Sequence, residues 1–117
     1  MKENIVKDKS FAFALRVVNL AKYLEGRKEF VLSKQVLRSG TAIGALVREA
    51  EHAESKADFI HKNAVSLKEA RESNYWLRLI LATETLKPNV LVGIQELEQE
   101  SLELAKIIGK IIVSAKS

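Results

Sequence analysis

The chain has no cysteine, a single proline and only five glycines in 117 residues. Without cysteine, neither a disulfide framework nor a thiolate zinc site can form, and a reducing cytoplasm is the expected setting. No apolar run exceeds a few residues, so no membrane span is expected. The opening MKENIVKDKSFAF lacks the apolar core of a secretory leader. Scarce proline and glycine leave little to interrupt regular structure, which implies long helices. The length suits one domain over residues 1–117 with a real hydrophobic core.

Charge is present but uneven. Residues 1–48 carry ten Lys/Arg against four acids, a net of +6, while the remainder is net −2. Such asymmetry is compatible with a polyanion-facing surface on the first two helices.

The apolar periodicity predicts four helices. The first spans about residues 8–26 and has two apolar rows on nearly opposite sides, Phe11–Ala14–Leu15–Val18 and Phe13–Val17–Leu20–Leu24. Only a wedge of Lys9, Arg16, Asn19, Tyr23 and Arg27 is left for water. A helix with two apolar faces needs two partners, the chain's own core and a second subunit.

The second helix is predicted from an N-cap at Ser33 to about Ala53. Val36, Leu37, Gly40, Ile43, Gly44, Val47 and Ala50 form its inner face. Each glycine costs about 1 kcal/mol against alanine in a helix, so close approach of a neighbouring helix is expected at Gly40 and Gly44. The third helix opens at Ser55, where Ser-Lys-Ala-Asp resembles a capping box, and runs to about Glu84. Its apolar face (Phe59, Ile60, Leu67, Ala70, Leu77, Leu81) also admits Asn63, Asn74 and marginally Arg78, which predicts a polar network. Pro88 sits near the start of a fourth helix reaching about Ala115. There Val90, Ile94, Leu97, Leu104, Ile108 and Ile112 face inward. Glu96, Glu98, Glu100 and Glu103, followed by Lys106, Lys110 and Lys116, read as a solvated face arranged along the helix dipole. Short connections and no strand signal define an all-α, antiparallel up-down-up-down four-helix bundle.

Three constellations are candidates for function. Lys34, Arg38, Thr41, Ala45, Arg48 and His52 form one straight row on the second helix. With Arg16 and Arg27 of the first-helix wedge, this row could meet phosphates with little base reading. No aromatic beyond Tyr23 interleaves these rows, so stacking of single strands is not expected from them. Second, Glu49-x-x-His52 and Asp58-x-x-His61 have the spacing of carboxylate–histidine pairs in di-metal bundles. Their position at a corner and the lack of inward glutamates on the other helices argue against that reading. Third, Ser39, Thr41, Ser66 and Ser73 lack a companion histidine and acid, and SGTAIG lies inside a helical pattern, so no enzyme is expected. Tyr75 and Trp76 point away from the core face and are expected to help form a subunit interface.

The segments LRSGTAIGALVREAEHAESKADFIHK and LKEARESNYWLRLI resemble the bacterial four-helix bundle family first noticed as reading frames inside intervening sequences of 23S ribosomal RNA genes. The likeness runs from Phe11 to the Ile-rich fourth helix. It implies a small all-helical pentamer without known catalysis. The chain is also similar to the accessory variability protein of diversity-generating retroelements, a pentamer that binds nucleic acid and associates with a reverse transcriptase. The resemblance places phosphate contacts at Arg38, Arg48, Lys56 and Lys62 in the first motif. In the second it places them at Lys68, Arg71 and Arg78. The expected role is a non-enzymatic homo-oligomer that binds structured RNA or a nucleoprotein partner. A di-metal carboxylate protein (Glu49, His52, Asp58, His61) and a pure protein–protein scaffold are the alternatives.

Overall fold

The computed structural model describes residues 2–117, with side chains from Ile5 onward. Lys2 and Glu3, which enter the charge count, lie outside the described side chains. The elements are α1 (Lys2–Gly26), α2 (Phe30–Glu51), α3 (Lys56–Thr83) and α4 (Pro88–Lys116). Consecutive helices pack against each other and α1 meets α4 to close the bundle. The overall extents are 45 × 21 × 21 Å, a rod whose length is that of its longest helix at about 1.5 Å per residue. The four-helix bundle is therefore as expected.

Each helix turns a line of residues inward with alternating spacings of four and three. On α1 the line is Val6, Ser10, Phe13, Val17, Leu20 and Leu24, all buried. On α2 it is Ser33, Val36, Gly40, Ile43, Val47 and Ala50. A mean spacing of about 3.5 is slightly below the helical repeat, so helices stay in register only by coiling around one another. Large side chains such as Phe13, Leu24, Ile43, Leu77 and Leu104 are fully buried. Each such burial stabilises the fold by roughly 1.5–3 kcal/mol.

The inner line of α3 differs from the predicted one. Asn63, Ser66, Ala70, Ser73, Leu77 and Ile80 are buried, whereas Phe59, Ile60, Leu67 and Leu81 are only partly covered. Small polar residues hold the centre because their hydroxyls find backbone acceptors. Ser66 Oγ donates to the Ile43 carbonyl of α2 at 2.9 Å. The expected polar network exists without Arg78, which is exposed. Asn74 Nδ2 donates to Glu98 Oε2 at 2.7 Å and Ser101 Oγ at 3.1 Å. Among the described residues no buried side-chain nitrogen or oxygen lacks a partner.

The helix ends follow the local signals at the starts of α3 and α4 but not at the start of α2. Ser55 caps α3, accepting from Asp58 N at 3.0 Å, while Asp58 Oδ2 accepts from Glu54 N. Pro88 is at the first turn of α4, as expected. Ser33 is not a cap. The preceding residues 30–32 are already helical, and buried Ser33 donates to the Ala21 carbonyl of α1 at 2.7 Å. At the end of α1, Glu29 N bonds Leu24 O and Lys28 N bonds Glu25 O, with Lys28 at φ 66°. This is a Schellman closure in which lysine occupies the position usually given to glycine. Gly26 belongs to the last helical turn.

Gly40 and Gly44 both lie against α1, as their positions implied. A Cβ on Gly40 would come within 2.7 Å of Val17 Cγ1, and one on Gly44 within 3.2 Å of Ser10 Oγ. Leu37, assigned to the same inner face, is instead 37% exposed.

Candidate functional site

The polar wedge of α1 is largely exposed, but it runs beside α4 and the α3–α4 connection, and its cations are paired there. Arg16 pairs with Glu96 at 2.8 Å and Glu100 at 2.5 Å, and donates to the Gly93 carbonyl at 3.2 Å. Lys9 pairs with Glu103. Arg27 pairs with Glu84 at 3.2 Å, donates to Thr85 O and lies over the Tyr23 ring. The acids of α4, read as a solvated face, are thus half of an interhelical seam. The Glu84 carboxylate also raises the Glu29 carboxyl above the usual carboxylate range.

The α2 row is divided. Arg38 is clamped by Glu69 at 3.2 Å and by Glu72, both from α3. Lys62 is held by Glu49 at 2.8 Å. Arg48 lies over the Phe11 ring, 5.8 Å from its centroid. Lys34 and Lys56 are exposed and make no ion pair among the described residues.

The outer face of α3 carries a second cationic row. Lys68, Arg71, Tyr75, Arg78 and Ala82 are all exposed, at spacings of three, four, three and four. None of its cations has a carboxylate within ion-pair distance among the described residues. Glu69 and Glu72 turn toward α2 instead, where Arg38 holds them. Tyr75 is 59% exposed and set edge-on to Trp76, with centroids 5.0 Å apart and planes at 75°. The indole N–H of Trp76 donates to Glu72 Oε2 at 3.2 Å. That bond, with the Arg38 guanidinium, holds the Glu72 carboxyl below its usual range. Arg71, Asn74, Tyr75, Arg78, Leu79 and Ala82 line a shallow open depression. The spacing of Lys68, Arg71, Tyr75 and Arg78 is legible in the sequence, where Tyr75 reads instead as a subunit-interface residue.

Glu49, His52 and Asp58 line one open depression with Arg48 and Lys62, but the four candidate metal ligands are not gathered as a ligand set. Glu49 is occupied by Lys62, Asp58 by the α3 cap, and His52 ends α2 while His61 is exposed on α3. Among the described residues no three His, Cys, Asp or Glu side chains are grouped as metal ligands would be. This arrangement lends the di-metal alternative no support.

An apolar strip remains uncovered. Phe11 and Leu15 on α1 are 53% and 55% exposed, and the Arg48–Phe11 contact joins them to α2. This is the second apolar row of α1.

The four-helix bundle matches a known class of small helical proteins. The family model described as "23S rRNA-intervening sequence protein" matches residues 2–110, and the chain belongs to that family. It is similar to a crystal structure described as a protein with unknown function from the S23 ribosomal protein family of Bacteroides thetaiotaomicron. The two are 51% identical with a TM-score of 0.86, over 96% of this chain and 98% of that one. No curated protein matches. No described helix is long and apolar enough to cross a membrane.

Proposed function

We propose that this protein is a non-enzymatic homo-oligomeric bundle, pentameric by family resemblance, that binds structured RNA through phosphate contacts. The observation that carries the reading is which of the candidate phosphate contacts keep an unpaired charge; Lys22, Lys28, Lys106, Lys110 and Lys116, outside that set, also lack ion-pair partners among the described residues. The α1–α4 side neutralises Lys9, Arg16 and Arg27 internally. Lys34, Arg48, Lys56, Lys68 and Arg71, without ion-pair partners among the described residues, all lie on α2 and α3. Arg16, Arg27, Arg38 and Lys62 act in this reading as structural ion pairs, which removes them from the phosphate-contacting set. The exposed Phe11–Leu15 strip supports self-association, since such a strip gains by burial.

Light scattering combined with anisotropy of a labelled RNA hairpin tests both halves. The expected result is a multimeric mass that Leu15→Glu reduces, and an affinity that falls steeply with salt as counterions are released. A monomer, or a salt-insensitive affinity, would overturn the corresponding half.

A further inference from the structure

We infer that the outer row of α3, Lys68, Arg71, Tyr75 and Arg78, is a contact surface for single-stranded RNA, with an unpaired base stacked on Tyr75. The inference rests on the RNA-binding reading above and assigns to α3 the unpaired segments of such a structured RNA.

Three observations converge on this row. Its spacing places the four side chains in a line along the rod, and all four are exposed. Its cations are left free by a specific arrangement. The acids of the same helix, Glu69 and Glu72, are paired with Arg38 on the α2 side, so that among the described residues no carboxylate lies within ion-pair distance of the row, although the Glu72 charge still reaches Lys68. Finally, the one aromatic in the row is held in place. Tyr75 abuts Trp76, Trp76 is tied to Glu72, and Glu72 is tied to Arg38. A ring backed on one side has less freedom to lose when a base settles on it.

Arg71 and Arg78 stand about 10.5 Å apart along the axis, with Tyr75 between them. Guanidiniums on both sides of a stacking ring suit a strand whose backbone runs along the helix. A duplex keeps its base faces covered and offers Tyr75 nothing to stack on. A second copy of this row would oppose cation to cation.

The assembled protein carries its own probe, because Trp76 is its only tryptophan. Unlabelled oligo(U) and an RNA duplex of equal length are titrated against the protein while Trp76 emission, anisotropy competition and mass are followed. The expected result is that oligo(U) perturbs Trp76 emission more than the duplex does. Tyr75→Ala should then weaken oligo(U) binding about tenfold, the scale of one lost base–aromatic stack, with little effect on the duplex and none on mass. Tyr75→Phe should restore it. If Tyr75→Ala binds both ligands normally and Trp76 stays silent, RNA binding survives and this surface is wrong. If neither RNA binds at low salt, both readings fall. If Tyr75→Ala lowers the mass, the row is a subunit contact and the inference is overturned.

Discussion

Helix α1 is joined to the bundle in two opposite ways. Against α2 the backbones approach closely, because Gly40 gives up its side chain to Val17 and Ser33 reaches the Ala21 carbonyl. Against α4 the helices stand further apart, and the gap is bridged by Arg16, Lys9 and their glutamate partners. One seam is defined by the absence of side chain and the other by side chains of the greatest length. The first resists substitution sterically. The second depends on charges that water and salt can screen.

Three substitutions test that contrast. Gly40→Ala should cost the most, roughly 1–2 kcal/mol. Overpacking against buried, χ1-stiff Val17 outweighs the gain in helix propensity. Denaturant unfolding should report this loss equally in low and high salt. Gly44→Ala is its control. The contact there is looser, with Ser10 Oγ at 3.2 Å, so the change should stay within about 0.5 kcal/mol of zero. An equal loss at both glycines would show that the seam does not hinge on Val17. Arg16→Ala should cost about 0.5–1 kcal/mol, as expected for half-exposed ion pairs. Most of that loss should vanish at high salt; a salt-independent loss would mean that the arginine stem packs rather than pairs.

The smallest effect is expected at Glu29, whose carboxyl is raised by Glu84. A folded pKa above the unfolded value means the fold favours the protonated form. The associated stability is present below the unfolded pKa and is lost as pH rises through the folded one. Glu29→Gln should therefore raise Tm slightly at neutral pH and give no gain once the carboxyl is protonated. A gain of the same size in acid would exclude the carboxylate pair as its source.

The bundle itself could be read from the chain because inward lines repeat within each helix and need no knowledge of neighbours. The Ser55 cap and Pro88 were legible for the same reason, since their partners lie within a turn. Ser33 was misread because a serine before an apolar run looks alike whether it caps or donates across a seam. The Arg16–Glu96 and Arg38–Glu72 pairs depend on how two helices are rotated against each other, which no local pattern carries. The site suffered most from this. Basic rows on α1 and α2 looked open, although much of their charge is neutralised from α3 and α4. On α3 the resemblance groups Lys68, Arg71 and Arg78, whereas Tyr75, beside Trp76, reads in the sequence as interface and not as part of their row.

The thin α1–α4 seam has a kinetic consequence. Among the described residues the other close backbone approaches between helices all join consecutive helices, so each forms by closing a short hairpin at little entropic cost. Such local topology belongs to chains that fold in microseconds to milliseconds. Only the α1–α4 closure requires most of the chain to be ordered beforehand. It should therefore form after the folding barrier, and Arg16→Ala should speed unfolding while leaving the refolding rate nearly unchanged.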